Sequence, residues 1–390
     1  MRALVIGGGI GGPVAAMALR QAGIEAVVHE AYDRTAEGVG GALSIAPNGL
    51  AALAVVGLDD AVRAIGSPIT SMAMRSWTGK TLGAFRSDPP QLMVWRADLY
   101  RVLHEEAARR GVETLLGKRF VGARSTGGGV VAEFADGTAA TGDVLIGADG
   151  IRSAVRGVID PAAPRPRHAG LLGFGARVEH SGLPSTGGRM DLVFGKRAFF
   201  GYQVLDDSSG GWFANLPHRT PMTAAEARAT DSREWLRVLR EAFAGDRVPA
   251  LAMIDRVAPE DLVVTGSLED IPSVPVWSRD RVVLIGDAAH ATSPSSGQGA
   301  SLAVESAVEL AKCLRDLPYP EAFAAYERLR RARVERIIAM AARTNQDKAA
   351  GPVARVFRDL LMPVAMKFAK PDRFTWQFEH RIDWDAPVAA

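Results

Sequence analysis

Short apolar runs followed at once by glycine occur near both ends of this chain. Residues 3–6, ALVI, lack polar alternation, as do strands that are buried on both faces of a parallel sheet. After the glycines, apolar positions recur at helical spacing up to Gly23, and IEAVVHE predicts a second strand that ends in Glu30. The first 30 residues therefore predict a strand-turn-helix-strand unit.

A related pattern appears near residue 285. The segment RVVLIGD, residues 281–287, is an apolar strand, and after a turn rich in Pro and Ser the segment GQGASLAVESAVELAKCLR has helical spacing. We expect this second unit to return to the sheet of the first. A third strand, DVLIGAD at residues 143–149, is followed by a short helical turn.

The middle of the chain, residues 171–217, reads instead as four strands separated by Gly, Ser and Asp turns. In the segment RAFFGYQVL, alternation places Phe200 and Tyr202 on one face and Phe199 and Gln203 on the other. The pattern does not tell which face is functional. From about residue 320 the chain reads as helical.

Composition excludes several classes of protein. The chain has 390 residues, which favours two or three domains. Its formal net charge is only +2, without a block of like charges, so a nucleic-acid partner is not expected. Cys313 is the single cysteine, which rules out an intrachain disulfide and favours a reducing, cytoplasmic location. We expect no membrane span and no metal site, because the sequence contains neither a long apolar run nor a ligand cluster.

The first glycine run has the spacing of a dinucleotide-binding turn. Gly7 would allow the tight turn, Gly9 the approach of a pyrophosphate, and Gly12 close packing of the helix on the strand. The helix N-terminus offers NH groups and a positive dipole end to phosphates. Glu30 is placed to accept hydrogen bonds from the ribose hydroxyls, which fits FAD or NAD better than NADP.

The second run lacks this fingerprint, so a second dinucleotide is not expected there. Asp287, at the end of a strand, could accept hydrogen bonds from ribityl hydroxyls, and the helix that begins near Gly299 would direct its positive end at a flavin ring. We therefore predict that the two runs bind one molecule of FAD.

The order of these motifs resembles the FAD-dependent aromatic hydroxylases. The fingerprint with Glu30, then GADGIRSAVR, then GDAAHATSPSSGQG, is similar to this family, whose fold is that of para-hydroxybenzoate hydroxylase and which includes salicylate hydroxylase-like and tetracycline-degrading monooxygenases. The resemblance implies an α/β fold, with a Rossmann-like FAD-binding domain at residues 1–70, 96–166 and 266–320. It also implies an inserted substrate-binding β-sheet domain at residues 71–95 and 167–265. A C-terminal helical segment, residues 321–390, would follow, and its basic amphipathic end is expected to pack on the FAD-binding domain rather than on a membrane surface.

The resemblance also implies site residues. Tyr202 and Pro294 are predicted to act in catalysis. Further cofactor contacts are predicted at Gly40, Gly41, Arg96, Val121, Asp149, Gly297, Gly299 and Ala300. Predicted substrate contacts are Phe200, Tyr202, Phe213 and Asn215. His290 is interpreted as structural rather than as an acid or base.

The implied activity is that of a monooxygenase. In this family NADPH or NADH reduces FAD, oxygen adds at flavin C4a, and the hydroperoxide transfers one oxygen atom to an organic substrate. Hydroxylation of an aromatic or polycyclic compound is expected first, and epoxidation, Baeyer-Villiger insertion and simple reduction remain open. A halogenase is disfavoured because the W-x-W-x-I-P motif is absent. A flavin-binding protein without turnover is the alternative of another class. The expected partners are a small organic substrate and O2, with the chain a monomer or homodimer.

Overall fold

A mainly parallel sheet of six strands forms the centre of the molecule. The computed structural model describes residues 1–34, 40–348, 351–368 and 375–389. The order of the strands across the sheet is β16, β17, β10, β1, β2 and β6, and only β16 is antiparallel to its neighbour. Their bounds are β1 (Arg2–Ile6), β2 (Glu25–His29), β6 (Glu113–Leu115), β10 (Val144–Gly147), β16 (Ser278–Arg279) and β17 (Val282–Leu284).

Helices belonging to the same hydrophobic core cover this sheet, as the apolar strand pattern requires. They are α1 (Gly11–Gln21), α2 (Pro47–Val55), α3 (Asp59–Ala64), α4 (Arg96–Arg109), α5 (Ala154–Ile159), α9 (Asp287–His290), α10 (Gly299–Asp316) and α11 (Tyr319–Lys348). A three-stranded antiparallel sheet lies beside them, formed by β7 (Phe120–Thr126), β8 (Gly129–Phe134) and β9 (Ala139–Gly142).

The second large sheet has eight strands, in the order β15, β11, β14, β13, β12, β4, β5, β3. Their bounds are β3 (Ala42–Ile45), β4 (Ser67–Ser76), β5 (Thr81–Trp95), β11 (Arg167–Val178), β12 (Arg189–Phe194), β13 (Phe199–Val204), β14 (Gly210–Pro217) and β15 (Val263–Asp270). Three helices, α6 (Ala224–Ala229), α7 (Ser232–Phe243) and α8 (Ala250–Ile254), lie between β14 and β15 in the chain. The predicted α/β class with an inserted β-sheet and C-terminal helices is confirmed.

The limits predicted for the two domains stay a prediction, and two of them cut strands. The limit at residues 70 and 71 falls within β4, and that at 265 and 266 falls within β15. Strand β3, assigned from the sequence to the FAD-binding part, lies at the edge of the eight-stranded sheet, where it pairs with β5.

The last long helix, α12 (Pro352–Phe368), does not pack as predicted. It lies against the eight-stranded sheet, where an Arg355 guanidinium nitrogen donates to the Lys196 carbonyl at 2.7 Å and the Arg358 guanidinium lies 4.4 Å from the centre of the Phe194 ring. The expected packing of this helix on the FAD-binding domain is therefore wrong. The segment that follows does join the central core, through Trp376 and Ile382 among others. No helix in the described ranges is long and apolar enough to cross a membrane.

Candidate active site

Three loops emerge side by side from the carboxyl edge of the six-stranded sheet. Strands β1, β10 and β17 are neighbours, with Ile6 opposite Gly147 and Gly147 opposite Leu284. Because parallel strands in register end at one edge, the glycine run after β1, the ADG turn after β10 and the GD turn after β17 begin together. In open α/β sheets such an edge is where ligands bind.

The first loop meets the three requirements predicted for its glycines. Gly7 has φ +109°, and a Cβ there would lie 2.5 Å from the Ala148 carbonyl oxygen. A Cβ on Gly12 would lie 1.9 Å from the Gly7 carbonyl oxygen, so helix α1 can approach β1 only through glycine. A Cβ on Gly9 would meet nothing within 4 Å. The loop thus leaves open the one position at which a pyrophosphate was predicted to pass.

Glu30 closes the far side of this loop. Its carboxylate accepts hydrogen bonds from the Gly8 NH at 2.6 Å and the Tyr32 NH at 3.0 Å. His104, on α4, lies with Nε2 2.7 Å from the Gly8 carbonyl oxygen and fixes the loop from the other side. His104 was missed in the sequence because it lies almost a hundred residues from the motif.

The second loop adjoins the first. A Cβ on Gly286, which has φ +56°, would lie 3.1 Å from Cβ of Ala303 in α10, and one on Gly11 would lie 3.7 Å from the same atom. The N-terminal turns of α1 and α10 therefore meet at Ala303. This contact brings the two glycine runs, nearly 300 residues apart, into one site.

Asp287 follows directly and has an unused carboxylate. It accepts no hydrogen bond from the residues that the structure describes. Burial raises its pKa, and the charge of Arg96 partly opposes that rise. Gly40 lies against the same arginine, since a Cβ there would be 2.7 Å from Arg96 Cδ. Gly41 is adjacent, with the side chain of Val263 nearest. A free carboxylate beside an arginine provides an acceptor for ligand hydroxyls.

The third loop uses its acid internally. Asp149 accepts hydrogen bonds from the Ala154 NH at 2.7 Å and the Val155 NH at 3.1 Å, at the start of α5. Burial raises the pKa of Asp149, although these hydrogen bonds oppose the rise. Arg156 in the same turn donates to the Ala288 carbonyl at 3.0 Å and ties this loop to the second one.

The turn before α10 is held against β3. Gly297 has φ +61°, which favours glycine, and Ser44 Oγ donates to its carbonyl at 3.1 Å. Gln298 is fully buried, and its side-chain NH2 has no partner within the described part of the chain. Gly299 and Ala300 then form the first turn of α10. The backbone NH groups of this first turn have no partner within the helix and are the donors that α10 can offer to a ligand.

These features fit FAD. The open space at Gly9, the free carboxylate of Asp287 and the backbone NH groups at the start of α10 are the cradle, acceptor and donors that its diphosphate, ribityl chain and ring would use. Val121, the remaining predicted contact, is 57% exposed at a bulge of β7. It follows closely on Lys118, whose NH donates to the Glu30 carbonyl at 2.7 Å. The cofactor contacts of the individual residues stay predictions.

The predicted substrate residues separate into two groups. Phe200 and Tyr202 belong to a core cluster that the eight-stranded sheet forms with residues of α7 and α8, such as Phe243. Tyr202 is directly opposite Asp191, and burial, with that carboxylate, raises the pKa of its phenol to about 12. Phe200 and Tyr202 therefore face away from Phe213 and Asn215. Their contacts with a substrate, and a catalytic role for Tyr202, stay predictions.

Phe213 and Asn215 lie on the opposite face, which meets the turn that contains Pro294. There Lys348 Nζ, at the end of α11, donates to Asn215 Oδ1 at 2.8 Å and to Ser295 Oγ at 2.9 Å. The structure thus brings two predicted substrate residues and the predicted Pro294 turn to one place. Neither Ser295 nor Lys348 was singled out in the sequence, because the helical pattern around Lys348 does not show what its end contacts.

A cluster of buried charged residues lies between helices α10 and α11. Glu305 in α10 is fully buried, pairs with Arg330 and Arg333 of α11, and accepts a hydrogen bond from Asn48 Nδ2 at 2.6 Å. Burial acts to raise the pKa of Glu305, but the two arginine charges outweigh it and hold the pKa at about 2. His290 is also buried, 2.8 Å from Ser306 Oγ, and burial lowers its pKa to about 3. A neutral, enclosed histidine agrees with its structural interpretation.

Comparison with known proteins identifies the family. The family model described as FAD binding domain matches residues 1–181 and 270–341. The chain belongs to this family. The FAD-dependent urate hydroxylase of Klebsiella pneumoniae is 33% identical over 325 residues, 81% of this chain and 82% of that protein. The aurachin C monooxygenase/isomerase of Stigmatella aurantiaca is 31% identical, over 88% of each chain.

A solved structure agrees with this family assignment. The structure of Klebsiella pneumoniae HpxO complexed with FAD and uric acid has a TM-score of 0.84 and 29% identity, covering 96% of this chain and 94% of that one. The predicted resemblance to the aromatic hydroxylases is confirmed, and so are FAD as cofactor and FAD-dependent monooxygenation as activity. The described residues contain no group of three or more His, Cys, Asp or Glu arranged to hold a metal ion.

Proposed function

We propose that this FAD monooxygenase hydroxylates an aromatic or polycyclic small molecule, with NADH or NADPH as the transient reductant. The observation that carries the proposal is that Lys348 joins Asn215, on the eight-stranded sheet, to Ser295, in the loop that follows strand β17 of the six-stranded sheet. A cofactor bound at the loop edge of the six-stranded sheet and a ring compound bound at the Phe213–Asn215 face would therefore be neighbours. Several relatives are named for ring substrates, among them 6-hydroxynicotinate and 3-hydroxybenzoate.

The chain's own residues would bind FAD, orient it towards the substrate and enclose both. FAD, when bound, supplies the reduction by NAD(P)H and the activation of O2. Gly9 and the first turn of α1 would hold the diphosphate, Glu30 the adenosine ribose and Asp287 the ribityl chain. The helix dipole of α10 would favour negative charge at the flavin ring by about 0.3–1 kcal/mol. The remaining predicted cofactor contacts would complete this enclosure.

The substrate would lie over Phe213 and beside Asn215. The rings of Phe199 and Phe213 are tilted by 41° to each other with centres 6.0 Å apart, and Leu192 belongs to the same apolar cluster. An apolar floor of this kind suits a flat ring and excludes water, while Asn215 and Ser295 can fix its polar substituents. This arrangement favours Phe213 and Asn215 over Phe200 and Tyr202 as substrate contacts.

A substrate screen tests the proposal. Aromatic and polycyclic compounds are added to FAD-loaded enzyme, and NAD(P)H consumption in air is followed by the loss of its nicotinamide absorbance. The products are then examined by mass spectrometry. Some compounds should accelerate consumption and gain one oxygen atom. Consumption without an oxygenated product indicates a reductase, a lactone or epoxide indicates one of the alternative insertions, and no acceleration by any compound favours a protein without turnover.

A further inference from the structure

Lys348 carries a positive charge into the proposed substrate region, and no described side chain supplies a counter-ion for it. Its Nζ contacts Asn215 Oδ1 and Ser295 Oγ, and it lies 4.2 Å from the centre of the Phe199 ring and 5.9 Å from that of Phe213. All four contacts are neutral. Among the acidic residues whose side chains the structure describes, none is within ion-pair distance of this ammonium.

The hydrogen bonds of Lys348 are also incomplete. An ammonium has three NH donors, and the two acceptors named above account for only two of them. Lys348 as a whole residue is half-buried, so its surroundings are not completely closed to solvent. The third donor is therefore available to a ligand.

An unpaired ammonium in such a place is costly. Transfer of a charge from water to an apolar environment is unfavourable unless the charge is paired, and the group then tends to lose its proton. Burial accordingly lowers the pKa of Lys348 to about 7. A structural tie between α11 and the sheet would need no charge, since the amide of a glutamine could make the same two hydrogen bonds.

We propose that Lys348 Nζ is the counter-ion for an anionic oxygen of the substrate, a carboxylate or an ionised ring hydroxyl, held over Phe213 and beside Asn215. This inference rests on the proposed function and narrows it to aromatic anions. Lys348 would then be a specificity-determining residue that the C-terminal part of the chain contributes to the site. A bound anion would take the third NH donor and balance the charge that the described part of the chain leaves unpaired.

The test compares acids with their neutral amides. Benzoate, 2-hydroxybenzoate and nicotinate, each with its carboxamide partner, are titrated by calorimetry into FAD-loaded wild-type enzyme, Lys348→Met, Lys348→Arg and Lys348→Gln. Wild-type enzyme should bind at least one acid about tenfold or more tightly than its amide. Removal of one partner of a buried charge pair commonly weakens binding about 30-fold or more, so the preference should disappear in Lys348→Met and Lys348→Gln and persist in part in Lys348→Arg.

Lys196→Met is the matched control. Lys196 also lies over an aromatic ring, that of Trp77 at 4.0 Å, but it is in the turn between β12 and β13. Its substitution should leave the acid preference unchanged. The ratio of acid to amide affinity is informative because a merely structural lysine would weaken both ligands alike.

Two results would overturn the proposal. One is a wild-type enzyme that binds no acid more tightly than its amide, including failure to bind any acid. The other is an acid preference that survives in both Lys348→Met and Lys348→Gln, the second variant serving if the first does not fold. Because binding is measured without turnover, loss of the acid preference is distinguishable from failure of oxygenation, which the substrate screen reports.

Discussion

Gly9→Ala separates cofactor binding from folding. A methyl group at Gly9 meets no atom within 4 Å, and the backbone there lies outside the region that favours glycine. The apoprotein should therefore accept alanine, and its free energy of unfolding should rise by about 0.4–1 kcal/mol because the unfolded chain loses entropy. The methyl group would occupy the space assigned to the FAD diphosphate.

The effect on FAD follows from the hydrogen bonds at that position. Displacing the diphosphate enough to lose one hydrogen bond to a charged group costs about 1.5–3 kcal/mol. The dissociation constant for FAD should thus increase about 10- to 150-fold. We would measure it by the quenching of flavin fluorescence on titration into apoprotein, and stability by urea unfolding of the same apoprotein.

Two further alanine variants serve as controls, one for FAD affinity and one for stability. Gly157→Ala, in α5, also meets nothing within 4 Å and should leave FAD affinity unchanged. Gly12→Ala brings Cβ to 1.9 Å from the Gly7 carbonyl oxygen and should destabilise the apoprotein by about 1–3 kcal/mol or more. The reasoning is refuted if Gly9→Ala binds FAD within twofold of wild type, or if it destabilises the apoprotein as Gly12→Ala does.

Three further outcomes are expected from buried groups. Asp287→Ala removes a carboxylate that makes no hydrogen bond to the described residues, so urea unfolding of the apoprotein should show no loss of stability while the FAD dissociation constant rises about tenfold or more. Glu305→Gln leaves Arg330 and Arg333 without their counter-charge and should lower the free energy of unfolding by about 3–5 kcal/mol at pH 7, whereas exposed Glu321→Gln should be neutral. Because the pKa of Glu305 is about 2 in the folded state and near 4.5 when unfolded, its contribution is complete above pH 4.5, and the difference between wild type and Glu305→Gln should shrink as the pH falls from 4.5 towards 2; a constant difference would contradict this assignment.

The cofactor loops could be predicted because their requirements are local. A strand, a glycine spacing and a helix lie within 30 residues, and the conformation of Gly7 and the close approach at Gly12 follow from that order. The return of the second unit to the sheet of the first was likewise expected, but the contact of Gly286 with Ala303 was found only in the structure.

The substrate side depended on contacts between distant segments. Alternation correctly placed Phe200 and Tyr202 on the opposite face of β13 from Phe199. Which face the helices cover depends on where α7 and α8 pack, and the sequence of β13 does not show that. The same holds for Lys348, which meets Asn215 across more than 130 residues of chain. The packing of α12 was predicted wrongly because its amphipathic pattern does not say what the helix contacts, and apolar residues such as Phe357 and Leu360 are in fact exposed.

The origin of the transferred oxygen tests the central claim most directly. FAD-loaded enzyme, NAD(P)H and a compound that passes the substrate screen are incubated under ¹⁸O2 in unlabelled water, and the product is analysed by mass spectrometry. A monooxygenase places one ¹⁸O atom in each product molecule and consumes no substrate under strict anaerobiosis. A product whose added oxygen comes only from water, or equal turnover without O2, would contradict the account.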